Sequence, residues 1–204
     1  MPVRKTAVLA SSRDRLREGA KALFAERGYE ATTTAAICRL AGTSQSQLIK
    51  HFIDKQGVLE AIFEYTWEQL NPAVRLATEN IASPREKLRV LIDMVLGFLE
   101  KDRAIRTLFL LEGRRIRGDG HMVVLVPGFL EFVKMLDGIL KELAAKGELV
   151  PNIHPQAFRS ALMGAIEGMV RDQMLARGSR FPASYAEADM RAMVSSLLSF
   201  CLSK

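Results

Sequence analysis

Residues 32–52, TTTAAICRLAGTSQSQLIKHF, constrain the fold of this chain more than any other stretch. Thr33 and Thr34 can cap a short helix whose inward face carries Ile37, Leu40 and Ala41. Gly42 then supplies the turn, because a residue without a Cβ enters φ > 0 cheaply. Ser44 can cap a second helix, and Gln47 three residues later completes a capping-box pattern. Leu48 and Phe52, four apart, share one face of that helix, with Gln45, Ser46, Gln47 and Lys50 spread over the rest. Two short helices around a glycine turn, the second polar outside, predict a helix-turn-helix.

The same residues resemble the N-terminal DNA-binding domain of the TetR family of bacterial transcriptional repressors. That family's run is roughly T-T-x-x-I-A-x-x-A-G-V-S-x-G-x-L-Y-x-H-F-x-x-K-x-x-L. The sequence agrees with it at Thr33, Thr34, Ile37, Ala41, Gly42, Ser44, Leu48, His51, Phe52, Lys55 and Leu59. It departs at Cys38, Thr43, Ser46 and Ile49. The last departure matters most, since the family usually places there a Tyr whose hydroxyl holds a backbone phosphate. The resemblance implies a homodimer joined through the last two helices and a small effector bound among the middle ones. The effector would shift the spacing of the two reading heads and release DNA. Beyond about residue 60 this expectation is carried by architecture rather than by motif.

Charge placement agrees with a nucleic-acid partner. The net charge is +6 over 204 residues. Residues 1–55 contribute a net +5 and residues 56–204 only +1, so the excess lies where phosphate contacts are expected. A solvated basic face would carry the same charge. Cys38 and Cys201 are too far apart in sequence to suggest a disulfide framework or a metal-ligand spacing. Two buried thiols in a reducing cytoplasm are expected instead. No signal peptide opens the chain and no apolar run reaches membrane-spanning length, which predicts a cytoplasmic protein. Catalysis finds no support. His51, His121 and His154 lie in separate segments, and no GxSxG, phosphate-cradling glycine loop or paired-cysteine motif occurs. No enzyme, cofactor or metal site is expected.

Hydrophobic periodicity predicts an all-α chain of about nine helices. Ser11 or Ser12 caps the first, with Leu16, Ala20, Leu23 and Phe24 as its stripe and Gly28 at its end. Residues 1–10 read as a basic arm in which Arg4 and Lys5 can touch phosphate. Asp54 caps a longer helix that Asn71-Pro72 should end or kink. That helix joins a helix-turn-helix domain, residues 1–55, to a helical effector-binding and dimerisation domain, residues 56–204. Ser83-Pro84-Arg85-Glu86 opens the next helix. A break near Lys101-Asp102 precedes another, which ends in the cations of residues 114–117. Pro127-Gly128, residues 156–177 and residues 184–202 mark the last three.

The expected DNA contacts fall into two kinds. Thr34, His51 and Lys55 would hold phosphates, which fix register without reading sequence. Gln45, Ser46, Gln47 and Lys50 would face the major groove, where Gln pairs with adenine and Lys reaches guanine. A largely apolar effector would meet Trp67, Met94, Phe98, Phe109, Glu112, Phe129 and Phe132, although core packing accounts for each singly. Ile166, Met169, Val170, Met193, Val194, Leu197 and Leu198 would join two copies. Two alternatives stay open: a DNA-bound regulator answering to a protein partner, and a helical carrier or enzyme with a vestigial helix-turn-helix.

Overall fold

The computed structural model describes residues 11–113, 115 and 122–202. Among them the chain forms nine α-helices and no strand, as the periodicity predicts, with one antiparallel bridge between Leu149 and Leu202. The basic arm with Arg4 and Lys5, His121, and most of the cationic run at residues 114–117 lie outside the described residues.

Two compact units divide the chain. One holds residues up to Tyr65 together with Thr107–Val126; the other holds Thr66–Arg106 together with residues from Pro127 onward. The first contains α1 (Ser12–Arg27), α2 (Thr34–Leu40) and α3 (Gln45–Phe52). Ser11 caps α1, its hydroxyl accepting from the Asp14 N–H, and Gly28 ends it at φ 83°. The Ser11 hydroxyl in turn donates to Asp14, which holds that carboxyl below its ordinary range. The predicted stripe of Leu16, Ala20, Leu23 and Phe24 is buried. One expectation fails on α2: Leu40 is 57% exposed, and Cys38 is buried in its place beside Ile37 and Ala41. A helix of 7 residues presents only one narrow inward stripe, and Ile37, Cys38 and Ala41 fill it.

Helix α4 (Lys55–Thr78) and helix α6 (Arg103–Leu111) each contribute to both units. Of the two outcomes expected at Asn71-Pro72, an end or a kink, the first does not occur, since α4 continues through Pro72 to Thr78. Proline there removes one backbone hydrogen bond and crowds the preceding turn. Burial on either side offsets this, since Leu70 and Val74 are both buried. Asn71 is itself buried, and its amide donates to the Gly128 carbonyl at 2.9 Å.

The second unit is a ring of helices in which α5 (Pro84–Lys101) packs on α7 (Pro127–Ala145), α7 on α8 (Pro155–Gly178), α8 on α9 (Glu187–Cys201), and α9 back on α5. Ser83 caps α5 through the Glu86 N–H, with Pro84 in the first turn. Asp102 caps α6 by accepting from the Ile105 N–H at 3.0 Å. Arg191 closes the ring from α9, donating twice to Glu100 of α5 at 2.8 and 2.9 Å. Arg159 of α8 donates to Asp137 of α7 at 2.6 Å.

Candidate nucleic-acid interface

Helix α3 is fixed at its start by Ser44, whose hydroxyl accepts from the Gln47 N–H at 3.3 Å. Leu48 and Phe52 are buried, which turns Gln45, Ser46, Ile49 and Lys50 outward and leaves Gln47 half-buried. The exposed residues are not equally free. Gln45 donates from Nε2 to the Thr34 hydroxyl at 3.0 Å, and the Cys38 thiol donates to its Oε1 at 3.5 Å. Burial pushes the Cys38 pKa up, so the thiol keeps its proton and remains a donor. Gln45 and Thr34 are thus bound to each other across the α2–α3 corner. Ser44 and Ser46 join hydroxyls at 2.8 Å, while Lys50 stands exposed.

Arg15, which the sequence did not single out, and His51 hold α3 in place. Arg15 of α1 donates from Nε to the Ala41 carbonyl at 3.0 Å, pinning the turn. His51, expected on phosphate, lies 2.9 Å from the Ser12 hydroxyl through Nε2 and so ties α3 to α1. After α3 the backbone turns sharply. Ile53 sits at φ 66°, and the Asp54 N–H reaches the Phe52 carbonyl at 2.7 Å. This γ-turn is a strained conformation, more so for a β-branched residue. Asp54 then accepts from the Gly57 N–H at 2.8 Å to start α4.

Lys55 requires a correction. Its ammonium donates to the carbonyls of Tyr29 at 2.9 Å and Thr32 at 3.1 Å, and sits 4.2 Å from the centre of the Tyr29 ring. A lysine at a helix start suggested a phosphate contact, but here the α1–α2 loop brings two carbonyls within reach. Two of its three donors therefore act inside the protein. Lys55→Met should lower the unfolding free energy of the free protein by about 1–3 kcal/mol, because two buried-side carbonyls lose a charged donor. A lysine serving phosphate alone would leave the melting curve of the free protein unchanged.

The other candidate residues separate. Trp67 meets Phe132 at 4.8 Å and Phe129 at 5.4 Å between ring centres, forming one aromatic cluster in the second unit. Met94 and Phe98 are half-buried on α5. Phe109 instead packs edge-on against Phe63 at 4.7 Å in the first unit. Glu112, there too, is buried and accepts from Arg115 at 3.4 Å. Of the residues expected to join two copies, Ile166, Val170, Val194 and Leu198 are already buried within one chain. The outward stripe of α8 and α9 instead presents Met193, Leu175 and Phe200, with Met169 and Leu197 half-buried. Ala161 and Gly164 are exposed beside them. Helical periodicity marked two apolar stripes correctly but could not say that one chain would bury them.

Residues 16–62 match the bacterial regulatory proteins of the tetR family, and residues 63–194 match the C-terminal region of YsiA-like proteins. The chain belongs to the TetR family. It is a helix-turn-helix transcriptional regulator, from a family that binds DNA and acts as dimers. Among curated TetR-family relatives, the HTH-type transcriptional regulator UidR of Escherichia coli is 25% identical over 199 residues, covering 92% of this chain and 93% of that one. The fatty acid metabolism regulator protein of Bacillus subtilis is 24% identical over 155 residues, covering 75% and 78%. Among solved structures, the regulator FadR of Bacillus subtilis in complex with stearoyl-CoA shares the fold at a TM-score of 0.74 and 22% identity, covering 91% and 95%. No described helix of this TetR-family chain is long and apolar enough to cross a membrane.

Proposed function

We propose that this TetR-family protein is a repressor that holds a palindromic operator as a homodimer and is released by a small, largely apolar effector. The observation that carries the DNA part is α3, capped by Ser44 and anchored through Leu48 and Phe52, with Ser46, Ile49 and Lys50 exposed along its outer face. Residues 1–55 would read DNA, and residues 56–204 would hold the effector and the second copy. One short recognition helix makes few contacts, so two are needed, with half-sites about 34–36 Å apart. The release part is supported by relatives associated with acyl chains: a structural neighbour was solved in complex with stearoyl-CoA, and a curated relative is named as a fatty acid metabolism regulator. The cluster of buried Trp67 and Phe132 with half-buried Phe129 is the aromatic group of the second unit that such a ligand would meet. Selection of bound sequences from random DNA tests the reading, and the absence of a palindromic consensus would overturn it.

The residues on α3 should differ in what they read. Lys50→Ala should cost roughly 1–3 kcal/mol on the preferred operator and relax selectivity at one base position, as should Gln47→Ala to a lesser extent because Gln47 is half-buried. Ile49 is 59% exposed. Packed on a thymine methyl, it would make Ile49→Tyr weaken operator binding selectively. If Ile49 only leaves a phosphate contact unmade, Ile49→Tyr should tighten operator and nonspecific DNA alike. Anisotropy titrations on both DNAs separate the two.

A further inference from the structure

Arg106, on α6, is 4% exposed, yet its always-charged guanidinium carries five N–H donors. Among the described residues its ion-pair partner is Glu187, with Nη1 3.5 Å from Oε1. Its Nε is buried and makes no hydrogen bond. Glu187 compensates weakly. Its side chain is 42% exposed at the start of α9, and the same oxygen also attracts Arg177 at 3.9 Å. One long contact to a hydrated, shared carboxylate, with Nε left unpartnered, only partly compensates the desolvation of a buried guanidinium.

A second buried group in the same region lacks a partner. Gln173 of α8 is 7% exposed; its Nε2 donates to the Tyr185 carbonyl at 3.3 Å, while its Oε1 is buried and accepts nothing. Tyr185 and Glu187 are two residues apart, so Gln173 and Arg106 both touch the short stretch that leads into α9. An orphaned acceptor therefore accompanies the orphaned Nε donor.

We infer that Arg106 is the anion-binding group of a ligand site in the second unit, taking the carboxylate or phosphate end of an otherwise apolar molecule. The planar fork of an arginine suits either oxyanion, and a charge-assisted pair supplies what the distant Glu187 does not. Gln173 Oε1 accepts from a hydroxyl or amide N–H of the same ligand. Identifying that molecule as the effector rests on the ligand-release reading above; the anion site itself does not.

The test measures Tm and DNA affinity of the full-length protein with defined probes. Dodecanoate is compared with uncharged dodecanol, and acetate and inorganic phosphate are each exchanged for chloride at constant ionic strength. Dodecanoate should raise Tm saturably and bind about ten- to a hundredfold more tightly than dodecanol, the factor expected for a charge-assisted hydrogen bond. Arg106→Met should abolish that preference while melting no lower than the wild type, because it removes an unmet buried charge. Glu187→Gln should tighten dodecanoate binding, since it removes the competing carboxylate. Stabilisation by acetate but not phosphate assigns a carboxylate end; the reverse assigns a phosphate end. Equal binding of dodecanoate and dodecanol to the wild type overturns the site. So does a loss of Tm in both Arg106→Met and Glu187→Gln without any effect of anions, which is the outcome for a purely structural ion pair. Binding at Arg106 with unchanged operator affinity keeps the site and removes the effector reading.

Discussion

Gly57→Ala is expected to abolish operator binding and to destabilise the protein by about 3 kcal/mol. Position 57 lies in the first turn of α4, where alanine would ordinarily gain about 1 kcal/mol over glycine in helix propensity. The surroundings reverse that sign. A Cβ on Gly57 would stand 2.0 Å from the Phe52 carbonyl oxygen, which belongs to the backbone and cannot swing away as a side-chain tip could. That carbonyl also accepts the Asp54 N–H in the γ-turn around Ile53, so moving it disturbs the end of α3 as well as the start of α4. The substitution therefore strikes the joint between the recognition helix and the helix that leads away from it. Chemical denaturation of the free protein and a titration with operator DNA check both parts. Wild-type stability with wild-type affinity would show that the joint accommodates a methyl group.

The second large effect separates two substitutions on the last two helices. Ile166→Asp should unfold most of the protein, because Ile166 is 9% exposed within one chain and the new carboxylate would be buried without a partner. Such a change costs about 3–5 kcal/mol, a large share of the 5–15 kcal/mol by which a domain is ordinarily stable. Phe200→Asp should leave the chain folded and dissociate the dimer. Phe200 is 82% exposed on α9, so a single chain loses nothing by the change. In a two-fold dimer through the outward face of α8 and α9 the substitution occurs twice, and each lost phenyl burial is worth about 1.5–3 kcal/mol. Circular dichroism reports the folding and light scattering the mass. A monomeric wild type, or a dimeric Phe200→Asp variant, would place the partner elsewhere.

Local signals determined the helices. Ser11, Thr33, Ser44 and Ser83 each cap the helix that follows, because a hydroxyl within reach of an N–H two or three residues ahead requires nothing distant. The polar face of α3 opposite Leu48 and Phe52 was equally legible, since residues four apart share a side of any helix. Everything that depends on partners far along the chain was decided by tertiary packing. Apolar spacing marked Ile166, Val170, Val194 and Leu198 as needing cover but could not say that the same chain supplies it. Lys55 looked like a phosphate ligand until the loop at Tyr29 and Thr32 placed two carbonyls under its ammonium. Asn71-Pro72 signalled a helix end or a kink, and the helix runs on where the Gly128 carbonyl holds Asn71 and the core buries its neighbours. Arg106 carried no sequence signal, because an arginine on a short helix is ordinarily solvated. Only folding took its guanidinium out of water and left Glu187 as a distant partner.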